Sequence, residues 1–240
     1  NMNNYFNNTA NTQNTVVSET AFSKLMRNVY AWMCAGLLMT ALTAMGVAKN
    51  AELFTMLMTN KLLFWGIMIA EIALVIYLSA RIMRMSFFSA SLCFAAYSIL
   101  NGVTMSFIFM AYTTESIAQT FLITAGTFGA MSLVGFFIKK DLSGLGRMLI
   151  MLLIGLIIAS VINIFLASST MAVILNYLGV IIFVGLTAYD TQKIKQMLQY
   201  SSYYGISEQT QKMALLGSLT LYLDFINMFL YLLRIFGNRE

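Results

Sequence analysis

The sequence contains no histidine and no proline, and it has few charged residues. Without proline, a break in a helix has to come from glycine or from polar side chains. Without histidine, a zinc site that uses histidine is excluded, and pH sensing near neutrality has to rely on carboxylates. Cysteine is nearly absent too, because only Cys34 and Cys93 occur, both in hydrophobic runs. We interpret them as apolar packing residues rather than as a disulfide or metal pair.

Apolar residues dominate the composition instead. Of the 240 residues, 60% are hydrophobic and only 10% are charged, and the mean hydropathy is +0.79. A soluble domain of this size would lack the polar residues needed to cover its surface. The apolar residues form runs of about 20 residues, the length that crosses a hydrocarbon core of about 30 Å. We therefore predict an all-α integral membrane protein that lies in a lipid bilayer.

Seven such runs are predicted to be membrane spans. They are Val29–Ala48, Leu62–Ala80, Phe87–Tyr112, Ile117–Ile138, Met148–Ala167, Met171–Ala188 and Met213–Phe236. Residues 1–23 are polar and rich in Asn and Thr, which predicts a disordered tail, and residues 24–240 are predicted to form one transmembrane domain. The connections are predicted to be short except for a long polar loop over Thr191–Lys212.

Lysine and arginine are distributed unequally between the two ends of the spans. Ten flank one side, and these are Lys24, Arg27, Arg81, Arg84, Lys139, Lys140, Arg147, Lys193, Lys195 and Lys212. Four flank the other side, and these are Lys49, Lys61, Arg234 and Arg239. Because cytoplasmic flanks carry the excess of positive charge, this bias predicts a cytoplasmic N-terminus and an external C-terminus. The net charge of +5 is then an orientation signal and gives no reason to expect nucleic-acid binding.

Three acidic residues fall inside or at the end of predicted spans, where a charge is costly by about 2.5–3.5 kcal/mol and requires a reason. They are Glu71 in the second span, Asp190 at the inner end of the sixth and Asp224 in the seventh. Glu71 is interpreted either as a further acid on an ion path or as a buried acid hydrogen-bonded to neighbouring helices. Arg81 closes the inner end of the second span.

Asp224 belongs to a polar stripe along the seventh span. Its members recur at steps of three or four residues and are Gly217, Thr220, Asp224, Asn227, Tyr231 and Arg234. This spacing places them on one helical face, which has to meet protein or water because lipid cannot satisfy polar groups. The stripe indicates either a central helix held by interhelical hydrogen bonds or the lining of an ion path, with Thr220 and Asn227 beside Asp224.

Asp190 and Asp224 are both predicted in the cytoplasmic half of the bundle, because the sixth span runs inward and the seventh runs outward. Lys193, at i+3 from Asp190, offers the alternative of a simple local ion pair. Two carboxyl groups in contact in a low-dielectric site tend to share one proton, and they repel each other once it is lost. Arg81 reaches the same level and is a candidate bridge between the helices. Carboxylate oxygens also suit Ca²⁺, although these two acids alone would make a weak calcium site.

The chain resembles the Bax inhibitor-1 family, also called the transmembrane Bax inhibitor motif family, and specifically its bacterial members. The resemblance extends from about Met26 to Gly237. The segments that carry it are Gly185–Ile194, Ser218–Phe229 and Leu232–Gly237, with Lys140–Ser143 and Asn163–Phe165 as further family features. It implies a seven-helix bundle in which the last helix is surrounded by the other six.

The resemblance also implies a function. Asp190 and Asp224 match the family's aspartate pair, Glu71 matches an acidic position in the second helix, and Arg81 matches an arginine that latches the pair, with Arg84 as the alternative match. The family is associated with pH-sensitive Ca²⁺ leak and, in eukaryotes, with suppression of cell death. We therefore expect a channel of the bacterial inner membrane that binds or transports Ca²⁺, without another cofactor and without enzymatic activity.

Two functions of other classes stay open at this point. One is a regulator that acts through a membrane-protein partner, such as a membrane protease or a cell-death or stress modulator, with the tail or the Thr191–Lys212 loop as its docking segment. An intramembrane aspartyl protease is the third reading. Such proteases carry a Gly-x-Gly-Asp pattern and a proline-containing loop, whereas here Leu221-Tyr222-Leu223 precedes Asp224 and proline is absent.

Overall fold

The structure is a computed structural model that describes residues 18–203 and 205–238, together with the backbone course of the first helix from Met2. Within this part of the chain, helices are the only regular secondary structure. They are α1 (Met2–Lys49), α2 (Ala51–Thr59), α3 (Lys61–Arg81), α4 (Phe87–Met105), α5 (Ile108–Ala111), α6 (Thr114–Phe137), α7 (Ser143–Leu166), α8 (Ser169–Ser202) and α9 (Glu208–Phe236). The disordered tail over residues 1–23 stays a prediction; the structure describes the backbone of this segment from Met2, as part of α1, and its side chains from residue 18.

Seven helices in the described part are long and apolar enough to cross a membrane, which confirms the predicted all-α membrane fold. Six of the predicted spans lie within one helix or pass its end by a single residue, and the third, Phe87–Tyr112, covers α4 and the short α5. Six of the helices start where a polar side chain caps the free backbone N–H groups of the first turn. These N-caps are Asn50, Asn60, Ser86, Thr113, Ser168 and Ser207.

The long polar loop predicted over Thr191–Lys212 is wrong. Helix α8 continues to Ser202, and only residues 203–207 connect it to α9. Polar composition suggested a loop, but the segment has apolar or small residues at helical spacing, and Ile194, Leu198 and Ser201 form its buried face. The connection contains Gly205, whose φ of 80° lies in the left-handed region, outside the range of a continuing α-helix.

The last helix is the core of the bundle, as the family resemblance implied. In the apolar window of α9, 67% of the residues are buried, whereas no other span exceeds 39%. Its principal neighbours are α8 and α1, with α6 and α4 completing the surround. The aromatic ring of Tyr222 at its centre is fully buried. A helix that lipid does not touch is the one that can carry polar side chains through the membrane.

Contacts at both ends of α9 fix its direction. Near its start, Lys212 Nζ donates to the carbonyl oxygen of Met85 at 2.9 Å, in the connection between α3 and α4. After its end, the carbonyl oxygen of Asn238 accepts a hydrogen bond from the N–H of Thr113 at 3.2 Å, just before α6. The α3–α4 connection and the end of the chain therefore lie on opposite sides of the bundle, as an odd number of crossings requires.

Two glycines let neighbouring helices approach α8 closely. A Cβ at Gly135 of α6 would overlap the backbone of Ala188, and a Cβ at Gly146 of α7 would overlap the ring of Tyr189. Both contacts lie within two residues of Asp190. Helices α6 and α7 thus hold the turn of α8 that presents this carboxyl group.

Candidate functional site

Asp190 on α8 and Asp224 on α9 come together inside the bundle, close enough for their carboxyl groups to interact directly. Asp224 is 5% exposed, and Asp190 is partly buried. Two carboxylates in contact away from water repel each other, so we expect the pair to share one proton. The sequence predicted this pairing from span direction and from the family pattern.

One oxygen of the pair has no partner. Asp224 Oδ2 is buried, and no hydrogen bond reaches it from the described residues. Buried polar atoms are almost always hydrogen-bonded, so an exception requires an explanation. A carboxyl oxygen in this position is suited to accept a water molecule or a cation that enters the bundle.

The polar stripe of α9 faces α8. Gly217 packs against Ile194, and the ring of Tyr231 stacks on that of Phe183 with centroids 5.9 Å apart. The acid pair lies between these two contacts. The stripe therefore meets protein rather than lipid, and the opposed stretch of α8 is its main partner.

Thr220 and Asn227 lie on either side of Asp224 and are partly buried. The hydroxyl of Thr220 donates to the carbonyl oxygen of Leu216 at 3.1 Å, and the amide of Asn227 donates to that of Leu223 at 2.8 Å. Both side chains thus bond to their own helix and not across to another one. The amide oxygen of Asn227 and the hydroxyl lone pairs of Thr220 stay available to a ligand of the stripe.

Neither predicted basic partner contacts the pair. Arg81, at the end of α3, and Arg84, three residues later, are both exposed. Neither forms an ion pair with any residue that the structure describes. Lys193 lies beside the ring of Tyr189, 5.9 Å from its centroid, and does not form an ion pair with Asp190. The latch role of Arg81 stays a prediction.

A second polar cluster lies towards α1 and α4. Only Glu71 among its members was predicted, as an acid on an ion path or as one hydrogen-bonded to neighbouring helices. The hydroxyl of Tyr222 shares a hydrogen bond of 2.6 Å with Thr40 Oγ1 and accepts one of 2.8 Å from Asn101 Nδ2. Thr104 Oγ1 donates to the carbonyl oxygen of Asn101 at 2.9 Å and to Glu71 Oε2 at 3.0 Å. Polar contacts therefore run from Glu71 on α3 through α4 to the centre of α9.

Gln192 ties the acid-bearing turn of α8 to the connection between α6 and α7. Its Oε1 accepts the N–H of Leu142 at 2.8 Å, and its Nε2 donates to the carbonyl oxygen of Lys140 at 2.9 Å. The side chain is 5% exposed and lies two residues after Asp190. Sequence reasoning missed it because Gln192 was assigned to a loop; a continued helical register would have placed it on a buried face.

Gln192→Ala is expected to destabilise the protein by about 1–3 kcal/mol, because it leaves the N–H of Leu142 and the carbonyl oxygen of Lys140 without their partner. Thermal unfolding of the detergent-solubilised protein measures this. Gln196→Ala is the matched control, since Gln196 is exposed one turn further along α8. Equal unfolding temperatures for the two variants would contradict the role of Gln192.

Known proteins resemble the chain over nearly its whole length. The family model described as "Inhibitor of apoptosis-promoting Bax1" matches residues 22–240. "Inner membrane protein YbhL" of Escherichia coli strain K12 is 52% identical over 215 residues, which cover 90% of this chain and 92% of that protein. An "Uncharacterized protein" of Deinococcus radiodurans is 42% identical over 216 residues, 90% of each chain. An "Uncharacterized membrane protein" of Streptococcus pyogenes serotype M1 is 34% identical over 225 residues, 93% of this chain and 96% of that one. Because the family model spans residues 22–240 and these relatives are 34–52% identical over at least 90% of the chain, this chain belongs to the Bax inhibitor-1 family.

Proposed function

We propose that the protein is a pH-sensitive Ca²⁺ leak channel of the bacterial inner membrane, gated by Asp190 and Asp224. The observation that carries the proposal is the meeting of the two acids inside the bundle, with Asp224 Oδ2 of the central helix buried and without a hydrogen-bond partner among the described residues. An ionisable group inside a membrane protein is by default a sign of an ion or proton pathway. The name of the relative YbhL supports the inner membrane as the location.

The composition of the site fits passage of Ca²⁺ better than its storage. The described residues contain no group of three or more His, Cys, Asp or Glu side chains that could hold a metal ion. Ca²⁺ takes six to eight oxygen ligands, and two carboxyl groups offer four at most. Backbone carbonyls and water have to supply the others, which favours the weak binding that conduction needs.

A polar route begins at the opposite end of the bundle from the acid pair and ends at Tyr222, which lies on another face of α9 than Asp224. A pocket of about 390 Å³ between α2, α3 and α4 is lined by Lys61, Phe64 and Thr104 among others. Thr104 connects it to Glu71 and, through Asn101, to Tyr222. The buried Tyr222 ring closes the route in this conformation. On the predicted orientation the pocket opens outside and the acid pair lies in the cytoplasmic half.

The alternative, a regulator that acts through a membrane-protein partner, loses one of its supports. The loop that was expected to dock a partner is helical as far as Ser202, and only residues 203–207 are left as a connection. The proposal likewise assigns no catalytic activity to the two aspartates. Ion flux decides between the channel and the regulator.

Ca²⁺ flux into proteoliposomes that hold the purified protein tests the proposal. We expect flux above that of protein-free liposomes, and a severalfold change in flux for Asp190→Asn and for Asp224→Asn. Each variant is reconstituted at the same density and checked for its unfolding temperature. Background flux for the wild-type protein, or identical flux for all three proteins, would contradict the channel and favour the partner-binding alternative.

A further inference from the structure

An apolar groove lies between α1 and α6. It has a volume of about 570 Å³ and is lined by Tyr30, Met33, Phe128, Gly129, Leu133 and Phe137. Gly129 leaves the groove open, since a Cβ at this position would have no atom within 4 Å. Such a narrow apolar channel at the depth of the hydrocarbon core matches the shape of a lipid acyl chain.

Positive charge gathers at one end of the groove. Lys195 of α8 reaches across, and its Nζ donates to the carbonyl oxygen of Phe136 at 2.7 Å and lies 4.8 Å from the centroid of the Phe136 ring. The other two ammonium protons have no partner among the described residues. Arg27 is exposed one helical turn before Tyr30, and Lys139 is exposed two residues after Phe137.

Helices α1 and α6 contact each other at the level of this positively charged end of the groove. The rings of Phe22 and Phe136 stack with centroids 6.4 Å apart, so the end of α6 lies beside the turn of α1 that carries Arg27. Asp141, the acid in the connection between α6 and α7, already has hydrogen-bond partners. Its Oδ1 accepts hydrogen bonds from the N–H of Ser143 at 2.9 Å and from its hydroxyl at 2.7 Å.

We propose that this groove is a binding site for one anionic phospholipid, whose acyl chain lies between α1 and α6 and whose phosphate contacts Lys195. Clusters of Lys and Arg next to a membrane-spanning helix favour anionic headgroups, whereas a zwitterionic headgroup carries its own ammonium group. The apolar groove requires a chain as well as a phosphate, so the occupant is a lipid and not a free anion. The site is independent of any Ca²⁺ flux.

Titration of the purified protein with phosphatidylglycerol and with phosphatidylcholine of the same acyl chains, followed by native mass spectrometry, tests the site. Lys195→Gln keeps an N–H donor for the carbonyl oxygen of Phe136 but removes the charge. We expect this variant to bind phosphatidylglycerol about fivefold more weakly and phosphatidylcholine unchanged, because a surface cation contributes about one kcal/mol to anionic lipid binding.

Gly129→Leu tests the acyl-chain groove separately, since its side chain enters open space and fills the groove without disturbing the fold. It is expected to weaken binding of both lipids. Gly155→Leu is the matched control on α7, where a Cβ also meets nothing within 4 Å, and should leave both affinities as in the wild type. Unchanged phosphatidylglycerol binding in Gly129→Leu, equal wild-type affinity for the two lipids, or displacement of phosphatidylglycerol by glycerol phosphate alone would each overturn the proposal.

Discussion

Gly135→Val is expected to lower the unfolding temperature by about 10 °C or more, or to prevent accumulation of folded protein. A side chain at this position meets the backbone oxygen, carbon and Cα of Ala188, and backbone atoms cannot move aside by rotation. Overpacking typically destabilises by about 1–3 kcal/mol even when side chains can yield, and about one kcal/mol shifts the midpoint by 2–4 °C in chains of 150–250 residues. Helices α6 and α8 would have to separate next to Asp190.

The matched control is Gly126→Val in the same helix. Gly126 is exposed, and a Cβ there would meet nothing within 4 Å, so this change leaves the packing of α6 on α8 intact. Both variants introduce the same β-branched residue into one helix, which cancels the difference in helix propensity. Thermal unfolding in detergent compares them, and a Gly135→Val variant as stable as Gly126→Val would show that α6 and α8 tolerate a wider spacing.

Predictions that depended on a single helix were the most accurate. Seven apolar runs identified seven spans, because a helix in lipid satisfies its own backbone and needs only length and composition. Asp224 stood out for the same reason, since helical spacing alone puts it in a polar stripe. The error over Thr191–Lys212 arose because the segment was assigned from its polar composition and not from the helical periodicity of its apolar residues. It also concealed the contact of Gln192 with the connection between α6 and α7.

Contacts between helices were out of reach of the sequence. Tyr222 lies off the polar stripe of α9, and its hydrogen bonds go to Thr40 and Asn101, on helices that are far away in the chain. Span direction sets the level of a side chain in the membrane but not the helix that it faces. The meeting of Asp190 with Asp224 followed from level and family pattern together, whereas nothing comparable marked the hydroxyl cluster or the cation at the end of the lipid groove.

Ca²⁺ flux through the wild-type protein is expected to rise as pH rises, by about tenfold per pH unit at the steepest if one proton controls the gate. This prediction rests on the proposed channel function. We expect the carboxyl groups of Asp190 and Asp224, which lie together in this arrangement, to share a proton that holds α8 against α9. Loss of that proton puts two like charges in contact away from water, and their repulsion favours separation of the two helices.

Asp224→Asn is expected to remove this pH dependence. The amide of asparagine donates a hydrogen bond to the Asp190 carboxylate without needing a titratable proton, so the contact between the helices persists at high pH. Flux should then stay low and flat across the pH range in which the wild type changes. Asp190→Asn reverses donor and acceptor and is expected to give the same flat profile.

Asp141→Asn is the control for the pH experiment, because it changes the same side chain outside the membrane spans. The hydrogen bonds that Ser143 donates lower the pKa of Asp141, so this carboxylate, which is normally protonated only near pH 4, stays charged at every pH from 5 to 8. It loses its stabilising contacts only as pH falls through that lowered pKa, well below the range of the flux measurement. The Asp141→Asn variant should therefore follow the wild-type pH profile. A pH dependence that survives in Asp224→Asn would contradict the gate and assign the sensor to another group. Glu71, which is hydrogen-bonded to Thr104, is the next group to test.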